Sequence, residues 1–299
     1  MSKLSPSLKA LVNAPFARPG LCPAPNPASK LRDVYASIAS EAAQRHVGPQ
    51  PWIALSAATT FTLNSPDSLA ILYELASSSD RDDSPATPVA AAELIREVGL
   101  KCIAFNGIPR TINCLTAFHG SLPPQTQEGL RTVPRRTVTP GNLLSVQRRG
   151  RQLWDSVYAP LDRRLLHKLA RAHPDLPVHI LGSHYGPLLA DPLSGEGGES
   201  LSDEKSGGAG GKVGRVLTSI VAIACLRAQT GVAPQVISHV LGLRKSLQDG
   251  TWEDDRRAVS SDGIQWLASD EGNEWILRSV DRITEALGGA NFAPGRPRL

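Results

Sequence analysis

Apolar residues recur along this chain with the 3.6-residue period of a helix, and no stretch sustains the alternation of a strand. The clearest stripe runs through Val213, Val216, Leu217, Ile220, Val221 and Ala224. It predicts a helix over 213–228, ended by Gly231. Pro234 opens a partner helix whose inner stripe is Val236, Val240, Leu243 and Leu247. A second pair precedes it. Pro88 opens a helix to residue 106, with Leu94, Val98, Cys102 and Phe105 on one face. Gly107-Ile108-Pro109 breaks it, and the next helix ends at Gly120. Each pair is an αα-hairpin. Further helices are expected over 31–47 (stripe Val34, Ile38, Ala42), 52–58, 66–75, 143–171 with a break near Pro160, and 275–287. The fold class predicted is all-α.

Gly and Pro punctuate these elements and divide the chain. A Pro-rich arm (1–28) comes first, then a half built on the first hairpin (29–124) and a connecting segment (125–175) that is irregular up to residue 142. A second half (176–290) and a tail (291–299) follow. Gly, Ser, Glu and Asp dominate 191–212, the composition of a flexible loop. The two hairpins share an order of features: a long apolar helix, a glycine, a proline, then Ile followed by a small polar residue. That order predicts two pseudo-repeats with Cys114 and His239 in matching places.

Composition narrows the function classes only a little. No apolar run approaches the ~20 residues of a membrane helix, so a soluble protein with no membrane partner is expected. The net charge of +4 is too small to select nucleic acid. Basic pairs at Arg135-Arg136, Arg148-Arg149 and Arg163-Arg164 lack the interleaved aromatics of a base-stacking platform and read as a solvated surface. Nucleic acid is therefore not expected as a partner. Cys22, Cys102, Cys114 and Cys225 show neither CxxC spacing nor disulfide-scaffold density, which fits a reducing compartment.

The last three residues, Pro297-Arg298-Leu299, have the small, basic and leucine pattern of a variant peroxisomal address. They imply a peroxisomal import receptor as a partner and the peroxisome matrix as the location. The acid-free, basic first 32 residues offer a mitochondrial alternative, against which six prolines between Pro6 and Pro27 count.

Several segments together resemble fungal peroxisomal AhpD-like proteins of the carboxymuconolactone decarboxylase superfamily. They are Ile95-Arg96-Glu97-Val98 through Phe118, His173-Pro174-Asp175-Leu176 with His184-Tyr185-Gly186-Pro187, and Val216 through Ser238-His239-Val240-Leu241-Gly242. The arm Asn13 to Gly20 is a further one. The resemblance implies an AhpD-like bundle, a homo-oligomer, and a pocket for a small organic acid, lactone or acyl substrate. The redox motif C-x-x-C-x-x-x-H is missing: anchored on His239, its cysteine places hold Val232 and Gln235. A lone cysteine cannot resolve a mixed disulfide, so thiol peroxidase chemistry is not expected. The alternative is a non-catalytic binding or assembly protein on the same fold.

Within that reading His239 is the first catalytic candidate, as an acid or base with a pKa near working pH. Cys114 and His119 form a second, nucleophile-and-base candidate, although five residues of helix set them on different faces. His184, Tyr185, Arg110 and Asn113 are candidate substrate-binding residues, Arg110 through its place at a helix N-terminus. The spacings of His167, His173, His179 and His184 match no zinc pattern, so no metal is expected. Residues 207–212 lack the first glycine and the Ser/Thr of a phosphate loop, and no cofactor is expected.

Overall fold

The structure, a computed structural model, describes residues 5–12, 24, 28–78, 87–192 and 211–289. The arm from Asn13 to Gly20, Cys22, most of the 191–212 loop and the tail with Pro297, Arg298 and Leu299 lie outside the described residues. What is described is helical, with no strand. The helices are α1 (Pro6–Val12), α2 (Ser29–Gln44), α3 (Pro49–Thr62), α4 (Pro66–Ser77), α5 (Pro88–Lys101), α6 (Ile103–Asn106), α7 (Ile108–Ser121), α8 (Pro124–Glu128), α9 (Leu143–Tyr158), α10 (Asp162–Ala172) and α11 (Asp175–His179). A π-helix (Ile180–Leu189) follows, then α12 (Arg215–Gln229), α13 (Ala233–Gln248), a 3₁₀ turn (Thr251–Asp255), α14 (Ser261–Leu267) and α15 (Asp270–Ala286).

One large core joins both hairpins. Helix α12 lies at its centre against α3, α13 and α15, and Val216, Leu217, Ile220, Val221 and Ala224 are all fully buried. Helix α3 is apolar on every face, Trp52 to Phe61, as a helix enclosed by others must be. Its threonine hydroxyls are satisfied locally, Thr59 Oγ1, Thr60 Oγ1 and Thr62 Oγ1 donating to the carbonyls of Leu55, Ser56 and Ala58. A smaller cluster sits to one side. Trp154, Tyr185 and Leu189 form it, with Phe105, Leu165 and Leu169 packed around them. The π-helix packs chiefly with α9 and α11. The packing of α9 on the π-helix depends on two glycines. A Cβ on Gly150 would lie 2.5 Å from the Gly186 nitrogen, and one on Gly186 would lie 2.9 Å from the Val146 carbonyl oxygen.

Both hairpins turn on a glycine with positive φ, Gly107 at 78° and Gly231 at 71°. Cys114 and His239 are each the seventh residue of their helix, and each is buried. Their neighbourhoods differ, since α7 packs chiefly on α4 whereas α13 packs on α12 and α9.

Three expectations need correction. The helix from Pro88 does not run unbroken to residue 106; it stops at Lys101 and resumes at Ile103. The closing helix begins at Asp270, not Trp275, and α14 precedes it where a polar loop is expected. Ser260 and Ser269 cap these helices, accepting from the Gly263 and Gly272 nitrogens at 3.0 and 3.1 Å. The Arg135-Arg136 pair is not a solvated surface. Its side chains are 22% and 15% exposed and pair with Glu97 of α5.

That pairing belongs to a buried charge network. Glu93, Glu97 and Lys101 follow one another at intervals of four along α5 and share a face. Lys101 is fully buried. It donates to the Leu189 carbonyl (2.7 Å), the Val213 carbonyl and Thr218 Oγ1 (3.0 Å), and pairs with Asp191 at 2.8 Å. With four partners around one ammonium, the group holds the end of the π-helix, the start of α12 and α5 together. Every N–H of the ammonium has a partner.

Candidate functional site

The most concentrated polar chemistry lies between the two cores. Helix α13 presents His239 inward, 6% exposed. Its Nε2 lies 3.3 Å from the Tyr158 hydroxyl at the end of α9, and the Tyr185 hydroxyl of the π-helix donates to Tyr158 at 3.1 Å. Trp154 packs against both tyrosines, with ring centroids 4.2 Å from Tyr158 and 5.0 Å from Tyr185. Phe105 meets the His239 ring edge-on at 6.0 Å. The wider turn of the π-helix carries Tyr185 into this cluster, a common use of such turns.

Beneath the cluster is a buried cation. Arg215, at the start of α12, is 8% exposed. Its Nε and Nη1 donate to Ser156 Oγ (2.7 Å) and Ser219 Oγ (2.5 Å). Its Nη2 donates to the Ser156 carbonyl (3.1 Å) and the Gly242 carbonyl (2.7 Å). These use four of the five guanidinium N–H groups. All four acceptors are neutral, and among the described residues no carboxylate forms an ion pair with it.

Burial and this cation set the protonation states. Desolvation, then the Arg215 charge, push the His239 imidazole down to about 3, so it is neutral at any working pH. A neutral imidazole can accept from Tyr158 through Nε2, and its buried Nδ1 has no hydrogen-bond partner. Burial raises both phenols, Tyr185 far above its ordinary value, while the Arg215 charge pulls the other way. Desolvation lowers the Arg215 pKa itself. His239 is thus buried in its helix, without the near-neutral pKa expected of an acid or base.

The other candidates are dispersed. Cys114 is fully buried, its Sγ 3.8 Å from Asn64 Oδ1, and burial pushes its thiol up to about 12. His119 is exposed on another face of α7, so the nucleophile-and-base pair does not meet. His184 and Tyr185 diverge: His184 turns its ring to His179 at 5.2 Å, and Tyr185 points to Tyr158. Arg110 donates to the Thr62 carbonyl and Asn113 to Asn64 Oδ1 (3.4 Å), both on the α4 side of the hairpin. Sequence reasoning missed Tyr158, Trp154 and Arg215. Arg215 stands out in the sequence as a charge at the head of the clearest apolar stripe. A further pair it missed is Cys102 and Cys225, whose sulfurs lie 3.5 Å apart in the main core. Burial, then the hydrogen bond from Cys225, raises the Cys102 thiol.

No group of metal-ligating side chains gathers among the described residues. No described helix is long and apolar enough to cross a membrane. Compared with family models, curated proteins and solved structures, the chain matches none.

Proposed function

We propose that this protein is a carboxymuconolactone decarboxylase/AhpD-like helical protein that binds a small organic acid, lactone or acyl compound at the Tyr158 edge of the His239 cluster. The observation that carries this reading is Arg215, a buried guanidinium ringed by neutral acceptors. A buried cation whose direct partners are all neutral, with Asp249 and Asp255 acting on it only from beyond hydrogen-bond reach, stabilises negative charge placed near it. Tyr158, only half-buried, is where such a ligand would approach. The Tyr158 hydroxyl, turned from His239 Nε2, can then hold an oxygen by a hydrogen bond rather than exchange a proton with it. Thiol chemistry has no part, since Cys114 is buried and protonated.

The test is a fluorescence and calorimetric titration with a panel of small carboxylates, lactones and thioesters, following Trp154. Binding by at least one class, weakened roughly tenfold by Tyr158→Phe, is expected. A panel that never perturbs Trp154, or binding that Tyr158→Phe leaves unchanged, would sink the proposal.

A second reading, a non-catalytic assembly protein, has its own observation. Ile108 and Ile112 on α7, and Ile237 and Leu241 on α13, are more than half exposed and lie one turn apart in each pair. Sedimentation velocity separates the readings. An oligomer broken by Ile237→Glu with Leu241→Glu, in a chain that binds none of the panel, would favour assembly.

A further inference from the structure

A groove of about 370 Å³ opens between α2, α14 and α15, none of which contributes to the His239 cluster. That is the size of a site for a small molecule. Its floor is aromatic. Trp266, near the end of α14, and Trp275, on α15, have ring centroids 5.4 Å apart and planes at 57°. The corner between the two helices is tight, since a Cβ on Gly272 would clash with the Trp266 carbonyl. Glu41 of α2 pins the second indole. It accepts from Trp275 Nε1 at 3.0 Å, and Arg282 and Ser37 hold it at 2.8 Å each. Trp266 is half-buried, and the Arg45 guanidinium rests 5.6 Å from its ring centroid. Arg45 is itself half exposed and tethered to the exposed Glu271, so it can swing aside at little cost.

The charged lining is paired. Arg45 meets Glu271, Arg278 meets Glu274 at 3.2 Å and Arg282 meets Glu41 at 2.8 Å. An anionic guest would compete with three carboxylates, and a cationic guest with three arginines. A neutral guest competes with neither. Carboxylates only accept hydrogen bonds and guanidiniums only donate, so a guest that uses both must itself do both, as hydroxyls do. Gln44, exposed on α2, adds an amide that also does both. Ser279 is an independent sign of a guest. It is 1% exposed, lines the groove, and its hydroxyl has no hydrogen-bond partner among the described residues. The same holds for Trp266 Nε1 and Arg282 Nε in the same lining. Buried polar groups are rarely left unpaired in a folded protein.

We infer that this groove binds a neutral polyhydroxylated ring, a pyranose sugar. Its apolar C–H face lies on the Trp266 ring, and its hydroxyls lie among the carboxylates, guanidiniums and Gln44. The source is either a free monosaccharide or one ring of a longer glycan, since both present the same face. This site stands apart from the Tyr158 edge and does not depend on the ligand bound there.

Tryptophan emission and calorimetry on the full chain test this, with glucose, galactose, mannose, maltose, lactose and cellobiose as probes. Choline and benzoate are the cationic and anionic controls. All titrations are repeated in Tyr158→Phe, which should leave sugar binding unchanged. At least one sugar is expected to bind saturably and more tightly than either control. A disaccharide at least about tenfold tighter than its monosaccharide makes the source a glycan, and equal binding makes it the free sugar. Trp266→Ala should weaken binding at least about tenfold. Gln44→Ala, at an exposed position, should fold normally and weaken it about three- to tenfold. Three results overturn the proposal: no sugar binds, choline or benzoate binds the Tyr158→Phe chain more tightly than every sugar, or sugar binding survives both Trp266→Ala and Gln44→Ala in folded chains.

Discussion

At the scale of single residues, the buried ionisable groups make stability depend on pH in opposite directions. His239 has a folded pKa of about 3 against about 6.5 when unfolded. The unfolded chain therefore takes up a proton that the folded one refuses. His239 adds stability that is complete above pH 6.5 and is lost as pH falls toward 3, on the order of 5 kcal/mol in all. Asp255 behaves oppositely. Desolvation raises its carboxyl to about 6, against the hydrogen bond from the Val216 nitrogen. It holds its proton more tightly when folded, so it adds stability as pH drops from 6 to below 3.8, on the order of 2–3 kcal/mol. The two partly cancel between pH 4 and 6, and single substitutions separate them. In urea unfolding from pH 7 to pH 4, His239→Phe should flatten the acid loss, and Asp255→Asn should steepen it. An unchanged profile for His239→Phe would mean that the imidazole is not held neutral in the folded chain.

At the scale of elements, the layer that carries the site is held by close backbone approach. Gly150→Ala would place a methyl group 2.5 Å from the Gly186 nitrogen. Backbone cannot swing aside like a side chain, so α9 and the π-helix must separate, at a cost of about 1–3 kcal/mol. Tyr185 rides on the π-helix and Tyr158 on α9, so their 3.1 Å contact should lengthen with it. The expected readout is a shift in Trp154 emission along with a lower Tm. A variant with native emission and native Tm would show that the contact is looser than described. The helices themselves were largely legible in the sequence, because a buried stripe imposes the 3.6-residue period whatever lies opposite it. That is why Val216, Leu217, Ile220 and Val221 announce α12. Periodicity says which face is buried but not what faces it, and so Tyr158 and His239, 81 positions apart, could not be paired. The missed α14 is short and begins at a serine cap, a weaker signal than a stripe. Glu93, Glu97 and Lys101 gave a visible hint, three charges at helical spacing beside the apolar stripe. Their partners on 131–136 sit in irregular chain with no period to read.

At the scale of the molecule, the two hairpins share a core while the smaller layer hangs from its side, and local stability should follow. Helix α12 is enclosed by α3, α13 and α15, and its residues from Val216 to Cys225 are almost wholly buried. Helix α10, by contrast, buries only Asp162, which Arg151 holds at 2.6 Å, and the rest of its surface is half-buried or exposed. Amide exchange depends on opening, and opening is cheap where little apolar surface is uncovered. The α10 and α11 amides should therefore exchange through local opening at rates insensitive to mild denaturant. Those of α12 should exchange only with global unfolding. Lys101 and Arg215 bind the two layers, donating across from α5 and α12 to the carbonyls of Leu189 and Ser156. If α12 and α10 exchanged with the same free energy, the two layers would be one cooperative unit, and ligand binding at the Tyr158 edge would have to be coupled to the whole bundle. Separate free energies would leave the site at a boundary that can open without unfolding the core. A buried cation could then meet an anion there on the time scale of local motion.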